Sequence, residues 1–211
     1  TDETLINTTT TNAQSYSAIA RDGNGEFVVA WSGFGAGDMT GVYVRRLSSA
    51  GAPRGGEILV NSSTLGTQQR PSIDFDTNGD YVVAWSGQGG PDTSGVYARE
   101  FWSDDTPKGA DIAMNSTVAG AQANASVASI GDNRYIVAWS GAGAGDAAGV
   151  FRRLLVNQTP TLSVSAGFAE YTEDGVPLPI DAGLEVRDAD SLLASATVRI
   201  SANYAIGEDA L

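Results

Sequence analysis

The stretch "VVAWSG" stands at Val28–Gly33 and again at Val82–Gly87, and "IVAWSG" stands at Ile136–Gly141. An apolar hexapeptide that returns at a fixed interval of 54 residues marks a repeated unit of structure. The register extends well beyond it. Trp31, Trp85 and Trp139 align, as do Asp38, Asp92 and Asp146 in the glycine-rich connection that follows. Gly41, Gly95 and Gly149 open "GVYVRR", "GVYARE" and "GVFRRL", which carry Arg45, Arg99 and Arg153. Asn7, Asn61 and Asn115 match, and so do Gln14, Gln68 and Gln122.

Each unit reads as β. "PSIDFD" (Pro71–Asp76) alternates apolar and polar, and "TNGD" after it supplies a hairpin turn. "YVVAWSG" is apolar at successive positions, so both of its faces should be covered. "SGVYARE" alternates again, and "GAPRGGEILVN" provides a Gly/Pro turn and a fourth short strand. The expected fold class is all-β: three 54-residue four-stranded repeats over residues 1–156, propeller-blade-like or forming a closed threefold β-fold. The units run at about 8–61, 62–115 and 116–156. The third has no fourth strand of its own, whereas "ETLIN" (Glu3–Asn7) is a fourth strand without a unit. It is expected to pair with the third unit and close the ring, removing the exposed sheet edges.

Composition narrows the function. With 211 residues and 42% apolar content the chain can bury a core. Its formal charge of −13 repels phosphate backbones, which argues against a nucleic-acid partner. There is no Cys and no His, which removes disulfides, thiolate and imidazole metal sites, and every Ser-His triad. No stretch approaches the ~20 apolar residues of a membrane span, so no membrane insertion is expected. The opening "TDETLIN" has neither an initiator Met nor a signal-peptide pattern, and reads as a processed form or an excised piece.

From Val156 the period stops and acidic residues accumulate. "NQTPTLSVS", "YTEDG", "IDAGLEVRDADS" and "LASATVRISANYAIGEDAL" resemble the opening half of the cadherin-like or Ig-like repeats of very large bacterial surface and RTX-type secreted proteins. The upstream "GEILVNSSTLGTQQRPSIDFDTNGDYVVAWSG" is similar to the repeat arrays that often precede them. The resemblance implies an extracellular or cell-surface location, a β-sandwich over 157–211, and calcium. Such a sandwich takes ~100 residues, so this one is incomplete here, to be finished by further sequence or by a strand from a neighbouring chain.

Candidate site residues fall in three groups. Asp38, Asp92 and Asp146 each stand amid glycines in equivalent loops, where they can form one ligand-binding rim; alternatively each Asp caps its own turn or pairs with the Arg seven positions later. Trp102 breaks the period beside "SDDTPK" and is a candidate exposed aromatic contact for carbohydrate. Trp31, Trp85 and Trp139, by contrast, read as core. Glu173, Asp188 and Asp190 match the acidic positions that hold calcium at the ends of cadherin-like modules, which makes Ca2+ the one candidate cofactor. "DFDTNGD" (Asp74–Asp80) has calcium-loop spacing but decays in the other units, so it reads as a hairpin turn.

No nucleophile or carboxylate pair can be assigned, and no enzymatic activity is expected. The function expected is a structural or adhesive extracellular segment that acts as scaffold or assembly subunit. Its partners are then other copies of itself or neighbouring domains of the same polypeptide. A lectin-like carbohydrate-binding module is the alternative.

Overall fold

The computed structural model describes residues 3–90, 92–131 and 134–156 in full, and the backbone of two short strands at 161–163 and 185–187. The strands of the first sheet are β1 (Gln14–Arg21), β2 (Phe27–Gly35), β3 (Asp38–Leu47) and β4 (Pro53–Leu59), in that order. The second repeats it with β5 (Gln68–Phe75), β6 (Tyr81–Gly89), β7 (Asp92–Phe101) and β8 (Ile112–Ala113). The third holds β9 (Gln122–Gly131), β10 (Arg134–Gly143) and β11 (Asp146–Val156). All three are antiparallel, and no helix occurs among the described residues. The chain divides after Asn157. In the second unit β12 (Thr161–Ser163) pairs antiparallel with β13 (Glu185–Arg187); the sandwich expected there lies otherwise outside the described residues.

The period in the sequence is a period in the pairing. Trp31 lies opposite Tyr43, Trp85 opposite Tyr97, and Trp139 opposite Phe151. A left-handed residue bulges the first strand of each sheet at the same place: Tyr16, Arg70 and Asn124 have φ of 55°, 56° and 57°. The bulges meet along the array, with the Arg70 guanidinium 4.6 Å over the Tyr16 ring.

The hexapeptide is apolar throughout because β6 serves two cores at once. Alternate side chains of a strand point to opposite faces, and Val83 and Trp85 join Val28, Ala30, Val42 and Val44 of the first sheet. Val82 and Ala84 turn the other way and join Val127, Val137 and Trp139 of the third. Each fully buried valine contributes about 1.5–3 kcal/mol by leaving water. The Ser-Gly ending has a separate role. Ser32 Oγ accepts the Arg70 amide at 3.0 Å and Ser86 Oγ accepts that of Ala125 at 3.5 Å, linking neighbouring sheets. A Cβ on Gly33 would sit 2.6 Å from the Ala13 carbonyl oxygen, so only glycine lets β1 approach.

The expected ring closure does not occur. Glu3–Asn7 forms no strand and lies against the first sheet, where Arg45 Nη1 donates to the Ile6 carbonyl at 2.6 Å. Glu57 accepts from the Thr8 amide, from the Thr9 amide at 3.0 Å and from Thr9 Oγ1 at 2.8 Å. The reason is that the fourth-strand sequence also codes for a contact with the next unit. Arg99 holds the Val60 carbonyl at 2.7 Å, and Asp111 takes the Ser62 and Ser63 amides, in the same way. "ETLIN" therefore occupies the position of a strand from a preceding unit, and the three sheets stay open.

Candidate functional site

The glycine-rich loops join the second and third strands of each sheet, so the array carries them as equivalent corners. Asp38 starts β3, and its Oδ1 accepts the Thr40 amide at 2.9 Å, closing an Asx turn. Its Oδ2 accepts from Asn61 Nδ2 at 2.7 Å. Asn61 Oδ1 in turn accepts the Val42 amide at 2.8 Å, which ties the end of the fourth strand to β3. Asp92 and Asn115 repeat the arrangement: Ser94 amide at 2.9 Å, Asn115 Nδ2 at 2.5 Å, and Val96 amide to Asn115 at 2.7 Å. Asp146 keeps only the turn bond, from the Ala148 amide at 2.9 Å, and is exposed.

Packing fixes the shape of these corners. A Cβ on Gly35 would stand 2.5 Å from the Tyr43 ring, and one on Gly89 would stand 2.8 Å from the Tyr97 ring. The loop glycines thus leave room for the aromatic that stacks on the repeated Trp, with centroids 6.3 and 6.2 Å apart. Burial, reinforced by the Asp38 carboxylate, pushes the Tyr43 phenol up to about 12. It stays protonated and donates to the Asp38 carbonyl at 2.6 Å. Burial and Asp92 raise Tyr97 likewise, and Phe151 replaces this donor in the third sheet.

The repeated polar residues outside the loops also serve the backbone. Gln68 Nε2 donates to the Leu65 and Gln88 carbonyls at 2.7 and 2.9 Å, and Gln122 and Gln14 do the same in their units. Arg45 and Arg99 reach the Gly55 and Gly109 carbonyls, and do not pair with the Asp seven residues earlier. Asp and Arg lie on one strand at odd spacing, so they face opposite ways and stand about 23 Å apart. Burial works against ionisation of Glu57, but the Thr9 and Thr8 hydrogen bonds outweigh it and hold its carboxyl below the usual range.

Trp102 follows β7 in a tight turn and is 49% exposed. Lys108 Nζ sits 4.3 Å from its ring centroid and 2.7 Å from Asp80 Oδ2, so one face of the indole is occupied by a cation. The "DFDTNGD" stretch is a hairpin turn: Asp76 Oδ1 accepts the Asn78 and Asp80 amides at 2.8 and 3.0 Å. Glu173, Asp188 and Asp190 lie outside the described residues. Among the described residues, no three acidic side chains gather closely enough to hold a metal ion.

Clefts open on this framework among the described residues. One, of about 360 Å³, lies between the first two sheets and is lined by Asn12, Tyr16, Met39, Thr40 and Gln68. Another, of about 370 Å³, lies beside β11 and is lined by Asn115, Trp139, Phe151, Arg152 and Arg153. Sequence reading missed one polar cluster altogether. Arg46 forks onto Asp105 at 2.8–3.1 Å, lies within 4 Å of Asp22 and Glu26, and stacks on Phe75 and Tyr81 at 5.7 Å. Its counterparts are Glu100 and Leu154, so no periodic signal announced it.

No protein-family model matches the chain, and no curated protein matches it. Among solved structures it is similar to a GH43 endo-arabinanase from Bacillus licheniformis, at 12% identity and a TM-score of 0.40. The alignment covers 68% of this chain and 54% of that one, so the chain spans about half that protein's length.

Proposed function

We propose that this chain is a non-catalytic structural or adhesive segment of a large bacterial surface or secreted protein, working outside the cell as a scaffold or assembly subunit. One observation carries the reading: the polar residues that recur with the repeat are used to hold strands together. Asp38 and Asp92 use both carboxylate oxygens internally, and Asn61 and Asn115 are buried between strands. The arginines and glutamines bind carbonyls. A repeat whose periodic chemistry is turned inward in its first two units, with Asp146 of the third keeping only its turn bond, suits a module selected for shape. The resemblance of the acidic segment after Val156 to cadherin-like modules supports the extracellular setting, a propeller-like array followed by a β-sandwich, and calcium held by Glu173, Asp188 and Asp190.

The second reading is a lectin-like module, favoured by the half-exposed indole of Trp102 beside a buried lysine. A glycan array together with melting in calcium and in EDTA decides between them. The scaffold reading expects no glycan retained and a melting temperature that falls when EDTA removes calcium. Glycan binding that disappears in Trp102→Ala would establish the lectin instead, and melting unchanged by EDTA would remove calcium.

A further inference from the structure

The two outer faces of the array are the two halves of a contact that it makes twice internally. Val42 of the first sheet and Val96 of the second are fully buried against the sheet that follows, but their counterpart Val150 on the third is 80% exposed. Ile73 of the second sheet and Val127 of the third are 7% and 8% exposed, but their counterpart Ile19 on the first is 61% exposed. The polar link follows the same pattern. Ser32 and Ser86 accept amides from the next sheet, whereas Ser140 is exposed.

The strand edges agree. The end of the fourth strand bonds to the third strand twice over: Val60 N to Val42 O and Met114 N to Val96 O, each at 2.8 Å, with Asn61 and Asn115 bridging as described. β11 offers the same acceptor side at Val150 and Asp146, and no described strand lies along it. The chain holds one more copy of the donor side, "ETLIN" against "EILVN" and "DIAMN". That copy is already held by Arg45 at the Ile6 carbonyl, with Glu57 on the Thr8 and Thr9 amides just after it, and Leu5 within it is 64% exposed. Asn7 makes the local bond to the Thr9 carbonyl that Asn61 and Asn115 make to Ser63 and Thr117.

We infer that the first sheet of one copy docks on the third sheet of a second copy, with Glu3–Asn7 added to β11 as its missing fourth strand. The register follows from Tyr43 opposite Leu59 and Tyr97 opposite Ala113: Leu5 meets Phe151 and Thr4 meets Arg152. Asn7 then bridges the Val150 amide and the Asp146 carboxylate, filling the flank of the cleft lined by Trp139 and Phe151. A head-to-tail contact of this kind either closes or runs into a fibre. Radial arrays close at typically about four to eight sheets, so two copies of three make a ring with both ends satisfied. The inference rests on the scaffold reading and goes beyond it by naming the partner and the surface.

Sedimentation of the 211-residue chain tests it. The expected species has twice the 21.7 kDa chain mass. Val150→Glu and Ile19→Glu each damage one half of the contact, so each variant alone should sediment as a monomer with its β circular dichroism retained. Mixed, they should form a one-to-one complex, because one intact head still meets one intact tail. A monomeric wild type, variants that stay dimeric, or a mixture that stays monomeric would overturn the docking. A wild-type dimer that also binds glycan through Trp102 would sustain the docking and remove the scaffold reading.

Discussion

Trp85→Ala should lower the unfolding free energy by about 3–5 kcal/mol, the largest loss expected for any single side chain here. Trp85 is fully buried on the central strand of the middle sheet, stacked on Tyr97 and packed against the first sheet. Truncation removes the transfer free energy of the indole and leaves a cavity that the flanking sheets cannot collapse into, since the loop glycines have already brought the backbone close. Urea unfolding followed by circular dichroism measures it. A loss below about 1.5 kcal/mol would fit a tolerant, repacking site and would show that the repeated tryptophan is not a packing centre.

Arg46→Met should cost about 3 kcal/mol. The side chain is buried, and its fork onto Asp105 joins the first sheet to a turn of the second. Burial disfavours the charged guanidinium, but the hydrogen bonds and charge of Asp105 overcome this and raise its pKa above the usual value. Removing it takes from Asp105 and Asp22 the guanidinium they share and leaves Glu26 with Arg54 alone. Removing Arg54, an exposed partner of Glu26, should cost at most about 1 kcal/mol. The comparison by urea unfolding in low and high salt separates the two: the Arg46 loss persists in salt and the Arg54 loss fades. Equal losses would mean that Arg46 is only a surface ion pair.

How much of this was legible in the sequence depends on which residues repeat. Three tryptophans and three glycine-opened strands at one interval suffice to place the strands, because a period repeated over this length has no local explanation. The two-faced burial of β6 was readable from apolar residues at successive positions. The destination of "ETLIN" was not. Its sequence specifies a fourth strand, but such a strand has a pairing edge and a side that meets the next sheet, and in the folded chain Arg45, with Glu57 just beyond it, holds the second.

The candidate site was legible in outline only. Asp38 and Asp92 recur because each closes a turn and anchors an asparagine, a role that depends on the fourth strand returning beside the loop. The pairing of Arg45 with Asp38 fails on strand geometry alone. Arg46 with Asp105 left no trace, since a contact made once between non-equivalent residues has no period.

The central idea is a repeat strand packed on both faces between like neighbours, and amide hydrogen exchange on the Val150→Glu variant, in which docking between copies is broken, tests it most directly. Arrays of this kind fray from their ends. The amides of Val82–Trp85 should exchange slowest, with those of Val28–Trp31 and Ile136–Trp139 measurably faster. Equal protection in all three, or fastest exchange in the middle strand, would contradict the account.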